Sequence, residues 1–353
     1  MSFQPNCLAT GIGSLPHPTA EAAVQVVLSH LPDAPFWPQL PARGLNEQME
    51  VQYNEGLPRV VIDRDKERMF IDTAGDTSMD LATFYEQYMA ENLDAFAITP
   101  AFSRGIPAME AALRAGGRRP FVKVQTTGPI SFGLTIVDEH KRAIYYHPEF
   151  VDAVVKCLAM KCRWQIRKFA PFAERVICFI DEPILSAFGS STYVSVTRDD
   201  VVAKLAEVVE AVHAEGALAG VHCCGNTEWS IPIDAGVDIV NFDAFDYGES
   251  IALYPDAVRQ HLEAGKALAW GVVPTNSEKI RLQTAESLVA TFDRLVEHLA
   301  KTAKLDKGLI VRQALITPSC GTGSLPVPDA ERVFARLRET SQVLRARLGV
   351  AGC

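Results

Sequence analysis

Short apolar runs recur along this chain, each ending in a polar or glycine-containing turn and most leading into a stretch with helical periodicity. They fall at residues 7–13, 34–39, 121–126, 175–181, 217–222, 238–243, 267–273 and 312–317. The run Val176-Ile-Cys-Phe-Ile180 is apolar at every position, as expected of a strand covered on both faces of a parallel sheet. Helical patterns occupy 19–31, 148–169, 198–215, 284–303 and 328–348. The last opens with Pro328 and carries Asp329 and Glu331 in its first turn, where carboxylates suit the helix dipole. Eight alternating strand–helix units predict an α/β fold, a (β/α)8 TIM barrel forming a single domain. A doubly wound open sheet is the competing architecture. It would place a third glycine after the first strand, where this chain has Gly11-Ile-Gly-Ser-Leu-Pro16. Residues 44–117 are too many for one loop and contain helical patterns at 79–92 and 107–115. They read as a helical insertion over one side of the barrel mouth, with 93–99 as an alternative second strand.

The 353 residues, 48% hydrophobic and 22% charged, suit a soluble globular protein with a large core. A net charge of −9, with no run of five like charges, argues against nucleic-acid binding, which needs a basic face. No run approaches the roughly 18 apolar residues of a membrane span, and the N-terminus lacks the pattern of a signal peptide. A cytoplasmic location is expected. The eight cysteines include no Cys-x-x-Cys pair and are too sparse for a disulfide scaffold. Most should be small buried hydrophobes. Cys224 and Cys320, with polar or glycine-rich neighbours, should be the exceptions.

Polar residues gather after the C-terminal ends of the expected strands, where barrel enzymes build active sites. In order, these ends read Gly13-Ser14, Thr127-Gly-Pro129, Asp181-Glu-Pro183, His222-Cys-Cys-Gly-Asn226, Asp243-Ala-Phe-Asp246, Pro274-Thr-Asn276 and Pro318-Ser-Cys-Gly321. Residues two apart in an extended chain share a face, so His222 and Cys224 can converge while Cys223 faces the helix layer. One imidazole and one thiolate make half of a tetrahedral zinc site. Cys320 can approach from the last strand, and Asp243 supplies a nearby carboxylate. Against this stands the reading of a core histidine among buried cysteines. For Asp181-Glu182-Pro183, a helix-capping carboxylate competes with Asp181 facing the mouth and binding a ligand's amino or hydroxyl group. Thr127-Gly-Pro129 reads as a turn that lets substrate approach. The Gly13-Ser14 turn offers backbone N–H groups and a hydroxyl to a carboxylate. His17 reads as structural, and His140, His147, His213, His261 and His298 carry no partner signal.

Together these pieces resemble the catalytic C-terminal barrel of cobalamin-independent methionine synthase, within the uroporphyrinogen decarboxylase and methionine synthase-like superfamily. The resemblance runs in order through Ile12-Gly-Ser-Leu-Pro16, Thr127-Gly-Pro129, Asp181-Glu-Pro183, His222-x-Cys224, Val240-Asn-Phe-Asp243 and Pro318-x-Cys320-Gly321, covering nearly the whole chain. His222-Cys-Cys-Gly-Asn-Thr227 is also similar to the zinc motif of corrinoid-dependent methyltransferases. The resemblance implies Zn2+ held by His222, Cys224 and Cys320, with Asp243 where the family places a glutamate ligand. It implies homocysteine held by Ile12, Gly13, Ser14 and Asp181, with Asp181 in the catalytic set. The implied activity is homocysteine S-methylation in methionine biosynthesis.

Three departures concern the methyl donor. The family's N-terminal barrel does not precede this one; its folate-stacking tryptophan falls near Thr135; and its proton-donating histidine falls at about Asn276. A methylated corrinoid, free or protein-borne, is therefore the expected donor and partner. Two other functions compete. A uroporphyrinogen decarboxylase-like lyase would need an arginine-rich N-terminal loop, yet no arginine precedes Arg43. A non-catalytic zinc-binding barrel would be marked by four protein ligands and no thiol binding.

Overall fold

The computed structural model describes residues 3–190, 193 and 195–350. Numbered in chain order, its strands are β1 (Leu8–Ala9), β2 (Val60–Asp63), β3 (Arg68–Ile71), β4 (Arg119–Thr127), β5 (Val137–Asp138), β6 (Ala173–Asp181), β7 (Leu218–Cys223), β8 (Ile239–Phe242), β9 (Ala267–Val273) and β10 (Ala314–Pro318). Seven of them form one parallel sheet in the order β1-β10-β9-β8-β7-β6-β4, while β2, β3 and β5 make a small separate sheet. Helices Ala20–His30, Pro148–Phe169, Arg198–Ala214, Ala285–Ala303 and Val327–Arg347 fall within or beside the windows expected from periodicity.

The closed eight-stranded barrel expected from the sequence is corrected to a curled seven-stranded parallel sheet of TIM-like form. The expected strand at 34–39 crosses the gap between β1 and β4 without becoming one. It makes isolated parallel bridges, Ser14 to Gln39 on one side and Phe36 to Lys123 on the other. Phe121 N–H donates to Asp33 O and Lys123 N–H to Pro35 O. The reason is chemical: Pro32, Pro35 and Pro38 carry no N–H, so this stretch cannot sustain a ladder on both edges. The alternative strand at 93–99 is also corrected, since Leu93–Phe96 is a 3-10 turn. Residues 44–117 hold the β2–β3 hairpin as well as helices Ser78–Met89 and Gly105–Gly116.

Register explains which side chains meet inside the curl. Phe179 pairs with Gly220, Gly220 with Ile239 and Ile239 with Ala267, one level of the inner face. Two residues further along each strand, Asp181 pairs with His222, His222 with Asn241 and Asn241 with Ala269. Because neighbours in register share a face, the interior along β6 to β9 is apolar below and polar above. Ile177, Phe179, Leu218, Ile239, Ala267, Ala269 and Leu315 form that lower cluster. The opposite faces of the strands carry Cys178, Val221, Cys223, Phe242 and Trp270, packed in the large cluster that includes the helices. Cys7, Cys157, Cys162, Cys178 and Cys223 are buried, while Cys224 and Cys320 are partly open, as expected. Cys353 lies outside the described residues.

Candidate metal centre and substrate pocket

His222 is the penultimate residue of β7 and Cys224 follows the strand directly. Cys320 lies two residues beyond β10, whose register shifts between Ile316 and Pro318. Gly271 stands opposite that irregularity; a Cβ there would come within 2.6 Å of Phe242 O and 2.9 Å of Ser319 Cα. A side chain at this position would push the strand end away, and Cys320 with it. As built, the ligand atoms of His222, Cys224 and Cys320 lie within 4.8 Å of one another.

The imidazole is held in one orientation. Asn241 Nδ2 donates to Ala269 O at 2.9 Å and to Thr317 Oγ1 at 2.8 Å. Its Oδ1 therefore faces His222 Nδ1, 2.5 Å away, and must accept a proton from it. That leaves Nε2 as the electron-pair donor, buried and without a hydrogen-bond partner. The second partner of a metal-binding histidine does the same work. The sulfurs polarise each other: the neighbouring Cys320 thiol and His222 imidazole lower the Cys224 pKa, while Cys320 is raised. Burial disfavours protonation of His222, but Cys224 and Asp181 outweigh it and its pKa rises. A divalent cation would replace the protons these three groups share. An unsatisfied imidazole nitrogen beside two thiols thus fits zinc.

Asp243 stays outside this group. It caps helix Ala244–Tyr247, its Oδ1 accepting from Phe245 N at 3.0 Å and Asp246 N at 2.9 Å. Burial pushes its carboxyl up to about 6.

Beside the three donors lies a pocket of about 260 Å3 lined by Ile12, Ser14, Gln39, Asp181, His222, Cys224 and Cys320, among others. Asp181 Oδ1 is buried and has no hydrogen-bond partner, and burial raises its pKa to about 6 against the pull of His222 and Lys123. It is the carboxylate free for a ligand. Glu182 is the capping one: Oε1 accepts from Ile130 N at 2.9 Å and Oε2 from Ser131 N at 2.7 Å, at the start of helix Pro129–Thr135. Gly128 serves that contact, since a Cβ there would sit 2.1 Å from the Glu182 carboxylate. Its smallness admits a protein side chain, a correction to the turn expected to admit substrate.

Ser14 is anchored to the loop that follows Cys320. Its Oγ accepts from Gly323 N at 3.1 Å, and its carbonyl accepts from Thr322 N at 2.9 Å. Gly13 O accepts from Gln39 N, so this turn is tied to the closing segment as well. Sequence reasoning missed Lys123, which is fully buried. Its Nζ donates to Ile12 O and to Gln125 Oε1, and lies 4.7 Å from the centre of the Phe179 ring. Burial lowers its pKa to about 8, with Asp181 pulling the other way. A lysine within the apolar run Phe121-Val-Lys-Val124 was the available signal. Gln39 was also missed; its Nε2 donates to Gln52 Oε1 at 2.6 Å. His17, buried and 3.4 Å from Glu331, lies outside the metal cluster and the pocket lining. Asn276 is a helix cap, accepting from Glu278 N at 3.0 Å and Lys279 N at 3.1 Å.

No protein-family model and no curated relative matches the chain by sequence. Among solved structures it is similar to a B12-independent methionine synthase from Shewanella sp. W3-18-1 in complex with selenomethionine. The match covers 97% of this chain and 99% of that one, at 14% identity and a TM-score of 0.53. A 3-keto-D-glucoside 4-epimerase, YcjR, from E. coli aligns over 66% of this chain and 84% of that one. Its identity is 10% and its TM-score 0.36. The first likeness establishes a TIM-like fold. The second is too weak to carry an argument. Among the described residues, no helix is long and apolar enough to cross a membrane.

Proposed function

We propose that this chain is a zinc-dependent thiol methyltransferase that converts homocysteine to methionine. The observation that carries this reading is the convergence of His222 Nε2 and the Cys224 and Cys320 sulfurs beside a pocket holding an unpartnered carboxylate. Three protein donors are the pattern of a catalytic zinc site, which keeps one position for substrate. Zinc bound there would keep a substrate thiol ionised at neutral pH, when a free thiol is mostly protonated. Asp181 receives the ammonium group of the amino acid, and the Ile12–Ser14 turn receives its carboxylate. Asn241 holds the imidazole, and Lys123 holds the Ile12 carbonyl from below.

The sulfur then attacks the donor's methyl carbon, forming the S–C bond. With a methylated corrinoid, free or protein-borne, the cobalt–carbon bond breaks and both electrons remain on cobalt. No leaving amine needs a proton, so no general acid is required. Asn276, whose amide oxygen is spent on a helix cap, is consistent with that donor. The test combines zinc analysis of the purified protein with methionine assays from homocysteine. Methylcobalamin and methyltetrahydrofolate are supplied in parallel. About one zinc per chain and turnover with methylcobalamin alone are expected. A protein that neither carries nor takes up zinc would sink the proposal.

A further inference from the structure

Two residues along the chain from Pro41, which lines the candidate pocket, a second cavity opens on the segment that follows the sheet gap. Its volume is about 460 Å3, and its lining includes Arg43, Arg64 and Arg104 with Glu47 as the one acidic residue. Glu47 is buried; its Oε1 accepts from Arg43 Nε at 2.9 Å and from Arg104 N at 3.4 Å. This carboxylate fixes the Arg43 guanidinium at the rim, with Arg43 also donating to Pro18 O. Arg64, in the turn of the β2–β3 hairpin, and Arg104, beside helix Gly105–Gly116, have no ion-pair partner among the described residues. The lining therefore carries three guanidinium groups against one carboxylate, in a chain whose net charge is −9. Arginines left unpaired in a concave polar site suit an oxyanion, because the planar fork binds phosphate oxygens in pairs.

We infer that Arg43, Arg64 and Arg104 form a phosphate subsite that seats the anionic part of the methyl donor. This deepens the function proposed above and rests on it for the identity of the ligand. Two residues span at most about 7 Å of chain, so Arg43 stands at the rim of the thiol pocket. A donor whose reactive methyl enters that pocket can place a flexible phosphate-bearing arm in the neighbouring cavity. A corrinoid with a nucleotide tail carries such a phosphodiester, on an arm that becomes free to move when the tail's base leaves cobalt.

The first test uses inorganic phosphate alone, titrated into the wild-type protein and the Arg64→Ala/Arg104→Ala variant while 31P line broadening is followed. Binding by the wild type and its loss in the variant are expected. No binding by the wild type, or equal binding by both, would overturn the subsite. The second test compares methylcobalamin with methylcobinamide, which has the same cobalt–methyl bond and no phosphodiester. Losing charge-assisted hydrogen bonds should raise the variant's KM for methylcobalamin about tenfold, with KM for methylcobinamide unchanged. Equal changes for both donors would overturn the assignment of the subsite to the donor's phosphate. If neither donor supports turnover by the wild type, the methyltransferase reading fails, while the phosphate titration still decides whether the oxyanion subsite exists.

Discussion

The two sides of the pocket are built by different means. On one side His222 and Asn241 sit in strands with continuous in-register ladders, and Cys224 follows its strand directly. On the other, the proline-rich stretch 33–39 closes the gap with a few isolated bonds. Side-chain hydrogen bonds in and around it supply the rest: Gln39 to Gln52, Tyr53 OH to Gln125 O at 2.9 Å, and Gln125 Nε2 to Trp37 O at 2.9 Å. A metal centre needs ligands held within fractions of an ångström, which continuous ladders provide. The closing side has only to complete the pocket, so side-chain hydrogen bonds suffice.

The sharpest way to break this contrast is at the two adjacent thiols. Cys224→Ala should abolish both zinc retention and methyl transfer. Cys223→Ala should keep full zinc content and cost about 1 kcal/mol of stability, because its sulfur is packed against the helix layer. Metal analysis and thermal melts of both variants decide it; zinc loss from the Cys223 variant alone would put the register off by one residue. Next in size is Asn241→Ala. With the imidazole no longer oriented, zinc affinity in a chelator competition should fall about 10- to 100-fold. An unchanged affinity would mean that His222 is held by packing alone.

On the closing side, Lys123→Met tests whether the buried ammonium organises the substrate turn or merely fills space. Met removes a costly buried charge but leaves the Ile12 and Gln125 oxygens without that donor, two opposing effects on stability. The melting temperature should therefore change little. Meanwhile KM for homocysteine should climb about tenfold, as expected when a hydrogen bond from a charged group is lost. A lower melting temperature with unchanged KM would make Lys123 a structural residue.

The same division governs what the sequence made legible. Strand alternation placed His222 and Cys224 on one face and Cys223 on the other, because a period of two survives any reasonable error in element ends. The apolar run of β6 announced a doubly covered strand. Gln39 and Lys123 were not legible, since their roles depend on contacts between segments far apart in the chain. The stretch 34–39 read as a strand because its apolar content outweighed its prolines. Asp243 read as a ligand by position, and only the local backbone shows its Oδ1 committed to Phe245 and Asp246. For Asp181-Glu182-Pro183 a helix-capping carboxylate and a ligand-facing Asp181 both stood open until the Ile130 and Ser131 contacts gave the cap to Glu182.

The smallest effect concerns Asn276, at the mouth but outside the pocket lining. Its Oδ1 satisfies two N–H groups at the start of helix Ser277–Leu282, and the residue is exposed. Asn276→Ala should therefore cost about 1 kcal/mol, the usual loss when a helix cap is removed. Zinc content and KM for homocysteine should stay as in the wild type, because neither the ladder-held donors nor Asp181 depends on this cap. Replacing the same residue by His tests the donor assignment from the other side. If proton supply at this position were all that separates the chain from folate chemistry, Asn276→His would gain turnover with methyltetrahydrofolate. No gain is expected, because the position near Thr135 still lacks an aromatic ring to stack a pterin. A gain from that single change would show that the pocket already accommodates a folate donor.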